Sequence, residues 1–88
     1  MVKEKPVAKQ ETEKNKSRTL ILFNDDINTF EHVIDCLVSI CDHSEQQAEQ
    51  CAYITHYKGK CTVKSGSYEK LKPMFVALQL QELSVGIK

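Results

Sequence analysis

The 88-residue sequence predicts an α+β fold: one small sandwich of a three-stranded sheet and three helices, in the order βααβαβ, behind a disordered N-terminal arm. Three observations predict it. Short strand-like apolar runs stand near residues 19–23, 61–63 and 83–87, and three stretches of helical apolar spacing lie between them. Residues 1–17 hold almost no apolar side chain beyond Met1, Val2, Val7 and Ala8, too few to offset the entropy of ordering them. The chain therefore divides into an arm, 1–17, and one folded domain, 18–88, with no internal repeat.

Thr19 to Phe23 is rich in β-formers and is stopped by Asn24-Asp25-Asp26. Because Leu20 to Phe23 are all apolar, this strand is expected at the centre of its sheet or covered on both faces. Asn28, followed three residues later by Glu31, reads as an N-cap with an acid at N3. Phe30, Val33, Ile34, Leu37, Val38 and Cys41 then recur at helical spacing, which predicts a first helix to about Cys41. Ser44 and Gln47 form a second capping box, and its helix carries Ala48, Cys51, Ala52 and Thr55 on one stripe before Gly59 stops it. Cys61-Thr62-Val63 alternates as a strand, and Ser65-Gly66 is expected to turn the chain. Leu71, Met74, Phe75 and Leu78 mark a third helix, expected to start at Lys72 or to kink, because Pro73 is tolerated without strain only in a first turn. Leu83, Val85 and Ile87 alternate with Ser84 and Gly86 as the last strand.

Composition excludes several function classes. No apolar run approaches a membrane span and no export signal is visible, so a cytoplasmic protein without membrane contact is expected. Zero net charge hides an asymmetry: residues 1–18 carry six basic and three acidic side chains, leaving −3 on the remainder. A basic arm suits nucleic acid, but its interleaved glutamates, its lack of aromatics and the acidic body argue against that partner. Cys36, Cys41, Cys51 and Cys61 are expected as free, packed thiols in a reducing compartment. Cys36-x4-Cys41-x-His43 lacks the spacing of a zinc site, so no metal and no cofactor are expected. A monomer is expected, with no long apolar stripe left exposed.

Catalytic patterns are absent: no Gly-rich phosphate loop, no GxSxG, no HExxH, and His32, His43 and His56 are scattered. An enzyme is not expected. Asn24-Asp25-Asp26 is the informative segment. Read locally, it is either an Asx turn followed by a helix-favouring acid, or a concentration of acceptors and carboxylates aimed at a ligand.

Leu22-Phe23-Asn24-Asp25-Asp26-x-x-Thr29-Phe30-x-x-Val33 resembles the signature of the ClpS family, the bacterial N-end-rule adaptors. His56-Tyr57-Lys58-Gly59-Lys60 is similar to that family's His-x-x-Gly-Lys ending of the second helix. The resemblance runs without a gap from about Thr19 to Lys60 and more loosely to Ile87. It implies a non-enzymatic adaptor that binds large hydrophobic N-terminal residues and hands the substrate to a Clp-type AAA+ unfoldase, through the N-terminal domain of a ClpA- or ClpC-like partner. It also implies roles for residues. Asn24, Asp25 and His56 match the positions around the N-terminal ammonium, and Asp26 and Asn28 those that hold the peptide backbone. Phe30, Val33, Ala52, Thr55 and Leu83 match the lining of the side-chain pocket.

The departures are local. Asn28 stands where Thr is common, Phe30 and Ala52 where Met is frequent, and Thr55 where Val is usual, which implies a smaller and slightly more polar wall behind a stiffer gate. Glu82 stands where a helix-terminating Gly is common. Two other functions stay open at this level: an interaction domain resembling a ribosomal-stalk C-terminal module, and a small zinc or thiol-switch protein using Cys36, Cys41, His43 and Cys51.

Overall fold

A computed structural model describes residues 16–88; the expected arm, apart from its last two residues, lies outside the described residues. The elements are β1 (Arg18–Phe23), α1 (Phe30–Cys41), α2 (Glu45–Lys58), β2 (Lys60–Gly66), α3 (Tyr68–Leu80) and β3 (Val85–Ile87). The order βααβαβ is the predicted one. The sheet runs β2-β1-β3, antiparallel throughout, so β1, with its apolar run Leu20–Phe23, is the central strand. Leu20 and Leu22 enter a core with Leu37 and Cys41 from α1, Ala48 and Cys51 from α2, and Leu71 and Leu78 from α3. Ile21 alternates to the other face and is still buried.

Local chemistry sets the helix ends. Ser44 Oγ accepts from the Gln47 amide and Ser67 Oγ from the Lys70 amide, each satisfying a donor that the first helical turn leaves free. At α1 the cap is Thr29, whose hydroxyl accepts from the His32 amide at 3.1 Å, and not Asn28. The side chain of Asn28 is drawn instead to Asp25 and to the Glu82 carbonyl. Gly59 ends α2 at φ 94°, a backbone conformation that only glycine adopts cheaply.

Four further expectations need correction. The buried stripe of α1 is Cys36, Leu37 and Cys41, with Val33, Ile34 and Ile40 packed beside it; Val38 faces outward. Ser65 and Gly66 pair with Thr19 and Arg18 and extend β2 rather than turning the chain. The helix α3 starts at Tyr68, one turn earlier than Lys72, because Ser67 caps it and the Glu69 carbonyl that Pro73 leaves without a helical donor belongs to a solvent-exposed residue. The third strand is shorter than 83–87, since Leu83 closes the end of α3 by donating its N–H to the Leu78 carbonyl.

A β-bulge explains one histidine. Pairing slips between Leu20 and Ile21, leaving Val63 without a partner on β1. His43, buried at the corner between α1 and α2, places Nε2 2.6 Å from the Val63 carbonyl and donates to it, as a carbonyl can only accept. Lys64 Nζ reaches the Cys41 carbonyl at 2.9 Å, putting a positive charge at the C-terminal end of α1. Together these bonds fix the helix pair against β2.

Candidate functional site

Three chain segments meet at one end of the sheet. The Asn24 N–H donates to the Gly59 carbonyl at 2.9 Å, tying the end of β1 to the end of α2. The Phe23 N–H donates to the Ser84 carbonyl at 2.8 Å, tying the same point to the start of β3. The result is a groove of about 340 Å³, in the size range of small-ligand sites.

All ten residues that the sequence singled out line this groove. Asn24, Asp25, Asp26 and Asn28 come from the β1–α1 loop, and Phe30 and Val33 from the first turns of α1. Ala52, Thr55 and His56 come from α2, and Leu83 from the segment before β3. Val33, Ala52, Thr55 and Leu83 are buried or half-buried, whereas Asn24, Asp26, Phe30 and His56 are exposed. An apolar floor thus lies under a polar mouth.

Asp25 organises that mouth. Its Oδ1 accepts from the amides of Ile27 (3.0 Å) and Asn28 (2.9 Å), an Asx turn, and its Oδ2 accepts from Asn28 Nδ2 (2.8 Å) and Ser84 Oγ (3.3 Å). Burial alone would raise its pKa. The Asn28, Ile27 and Ser84 donors outweigh that and hold the carboxyl below its ordinary value, so it stays charged. The two readings of the triplet are therefore not exclusive: Asp25 builds the turn and still presents a negative charge. Asn28 donates its second side-chain hydrogen to the Glu82 carbonyl at 3.0 Å, which leaves only its Oδ1 for a ligand.

On the wall, Thr55 donates its hydroxyl hydrogen to the Cys51 carbonyl at 2.8 Å, which leaves its oxygen able only to accept. Phe30 is fixed from two sides, with its ring 5.5 Å from Tyr53 and edge-on to His56 at 5.4 Å. Tyr53 stacks on Tyr57 at 5.8 Å with an interplanar angle of 4°, and Tyr57 is edge-on to His56. Tyr53, Ile54 and Tyr57 on α2 are exposed, as is Ile27 in the β1–α1 loop, apolar surface that the sequence did not lead one to expect.

The sequence missed four contributors. Leu22 and Phe23 also line the groove. The Phe23 ring lies over Gly86, where an added Cβ would come within 3.2 Å of it, so any side chain there would have to shift the ring by a few tenths of an ångström. Ser84 and the Glu82 carbonyl brace Asp25 and Asn28 across more than fifty residues of chain. The strand-end position of Phe23 and the lone Gly86 were legible hints; Ser84 and Glu82 had none. The alternative zinc set is not assembled: His43 is turned to Val63, and among the described residues no three His, Cys, Asp or Glu side chains gather in a metal-binding group.

Comparison with known proteins gives three findings. A family model described as ATP-dependent Clp protease adaptor protein ClpS matches residues 13–83. No curated protein matches the chain. Among solved structures, Agrobacterium tumefaciens ClpS2 bound to L-phenylalaninamide is similar, with a TM-score of 0.75 and 20% identity over 83% of this chain and 95% of that one. At that identity the likeness speaks for the fold.

Proposed function

The chain belongs to the ClpS family of ATP-dependent Clp protease adaptors, and on that premise we propose that it binds proteins bearing a large hydrophobic N-terminal residue and delivers them to a Clp-type AAA+ unfoldase. The observation that carries this reading is the groove itself, an apolar floor beneath a mouth of acceptors supplied by Asn24, Asp25 and His56. An N-terminal ammonium leaving water needs acceptors on several sides, or its desolvation is not offset. Asp25 supplies the charge. Both its oxygens already accept two bonds, so the longest of the four, from Ser84 Oγ at 3.3 Å, is the one that yields to the ammonium. His56 accepts through an unprotonated ring nitrogen. Asn24 offers its side-chain oxygen beside it.

Asn28 Oδ1 and Asp26 hold the first peptide units. The side chain of the bound residue descends between Val33, Ala52, Thr55 and Leu83, and Phe30 stands at the entrance. The A. tumefaciens relative supports this reading, since its ligand, L-phenylalaninamide, is an aromatic residue with a free amino group. The protein acts as an adaptor and not as an enzyme, in the cytoplasm, as a monomer. It passes its cargo to the N-terminal domain of a ClpA- or ClpC-like unfoldase.

Fluorescence anisotropy with a labelled peptide beginning with free Phe, set against its N-acetylated twin, tests the reading. Acetylation removes the charge and keeps the side chain. Binding of the free peptide alone is expected; equal binding of both, or none, overturns the proposal and favours a stalk-like interaction module.

A further inference from the structure

We propose that Cys51 and Cys61 form a reversible oxidation site, closing an intramolecular disulfide between α2 and β2 when the protein meets a peroxide. The two sulfurs lie 2.9 Å apart, closer than van der Waals contact, and both face the Thr62 carbonyl, at 3.9 and 3.5 Å. A disulfide needs about 2.05 Å, a short approach from this position. The encounter is already arranged by the fold, because α2 and β2 are joined only through the Gly59 turn and the Gly59 carbonyl is anchored by the Asn24 N–H. All four described cysteines are free thiols in this structure. Cys51–Cys61 is the pair joined sulfur to sulfur.

The two members differ in access. Cys61 is partly exposed, whereas Cys51 is buried. Burial, together with the neighbouring Cys61 sulfur, pushes the Cys51 thiol far above its ordinary range. Cys61 is therefore the sulfur that meets the oxidant. Its thiolate attacks hydrogen peroxide, the O–O bond breaks, and Cys61 becomes a sulfenic acid; the hydroxide released takes up the proton the thiol gave up and leaves as water. The Cys51 sulfur then attacks the sulfenic sulfur and the S–O bond breaks. The departing hydroxide takes the Cys51 proton as a second water. In sum, two thiols lose two hydrogens and one peroxide becomes two waters. A dithiol reductant reverses the step. Cys36 and Cys41, both buried, with Cys41 pushed up to about 11 chiefly by burial, stay outside the reaction.

The test uses the full chain, reduced, then treated with excess hydrogen peroxide, alkylated and digested after Glu and Lys. Cleavage after Glu49 separates Cys51 from Cys36 and Cys41, and cleavage after Lys60 releases Cys61 on its own peptide. The expected product is a linked pair, Gln50–Lys58 with Cys61–Lys64, that dithiothreitol separates, while Cys36 and Cys41 remain alkylated. Cys51→Ser is expected to stop at sulfenic or sulfinic acid on Cys61. Cys61→Ser, altered at the accessible sulfur, is expected to keep its remaining thiols through the same treatment. Complete alkylation of the treated wild type, a bridge that includes Cys36 or Cys41, or overoxidised Cys61 without a bridge overturns the proposal. None of these readouts depends on peptide binding.

Discussion

Asp25 and Asn28 hold each other twice: the Asn28 backbone N–H donates to Asp25 Oδ1 at 2.9 Å, and the Asn28 side-chain amide donates to Asp25 Oδ2 at 2.8 Å. With Ser84 and the Glu82 carbonyl joined to the same network, a short and largely exposed loop acquires a fixed shape before any ligand arrives. A site ordered in advance loses less entropy on binding.

Asp25→Asn keeps the shape and removes the charge. It also sets its new amide donor against Asn28 Nδ2, so that bond is lost, while Ser84 Oγ can turn to accept instead of donating. Unfolding by urea at pH 7 is expected to show a loss of about 1 kcal/mol. Because the folded pKa of Asp25 is depressed, its contribution is present above the ordinary value of 3.8 and lost as pH falls through the lower folded value. The gap between wild type and variant should therefore shrink in strong acid. The proposed ammonium contact weakens as well, with peptide affinity falling on the order of tenfold to a hundredfold for one charge-assisted bond. Unchanged affinity would remove Asp25 from the binding role.

Peptide affinity is expected to fall on the alkaline side of neutrality, where the ligand's own α-amino group loses its proton near pH ~8 and the charge that Asp25 attracts disappears. Toward mild acid Asp25 stays ionised, because its carboxyl is held below the ordinary value, so its contact with the ammonium should persist. His56→Ala should bind more weakly through the loss of one acceptor. Affinity that does not change between about pH 7 and 9 would count against the acceptor cage.

How much of this was legible in the sequence depends on the range of the interaction. Caps at Ser44 and the stop at Gly59 are local and read directly. Asn28 and Thr29 are both competent caps, and the choice fell to Thr29 because Asp25 recruits the Asn28 side chain, a tertiary fact. Pro73 argued for a late start to α3, but a helix tolerates it where the abandoned carbonyl is wet. The β-bulge left no trace in the strand pattern, so the purpose of His43 was invisible. The ten groove residues were named through motif resemblance, and they converge on one groove; the brace from Ser84, 59 residues from Asp25, had no sequence signal.

Phe30 is expected to set which side chains enter. Its ring contacts Tyr53 and His56, which orient it at the entrance more firmly than a longer, unbranched side chain at the same place would be held. Phe30→Ala should weaken binding of Phe-initiated peptides about tenfold, the worth of one good aromatic contact, and reduce the preference for Phe over Leu. Stability should change little, as the residue is 43% exposed. Anisotropy titrations with both peptides check this; an unchanged Phe-to-Leu ratio would place the selectivity deeper, at Ala52 and Thr55.

His43→Ala removes the donor that satisfies Val63 at the bulge. A buried carbonyl is then orphaned and a ring-sized void opens, together costing about 2–4 kcal/mol. His43→Phe refills the volume and still lacks the donor, so its loss should be smaller but real. Urea midpoints for the pair separate packing from hydrogen bonding; a fully stable His43→Phe would show that the bond to Val63 contributes nothing.

Glu82→Gly is expected to stabilise the protein. Glu82 follows α3 at φ 67°, left-handed backbone that costs a side-chain-bearing residue roughly 1–2 kcal/mol. Glycine relieves that strain but adds freedom to the unfolded chain, worth about 0.5–1 kcal/mol, so the net gain is roughly 0.5–1 kcal/mol. What Glu82 supplies to the site is its carbonyl, which accepts from Asn28 Nδ2 and survives the substitution. The urea midpoint should therefore rise while peptide affinity holds. A fall in the midpoint would mean that the Glu82 side chain stabilises the fold by more than its backbone strain costs.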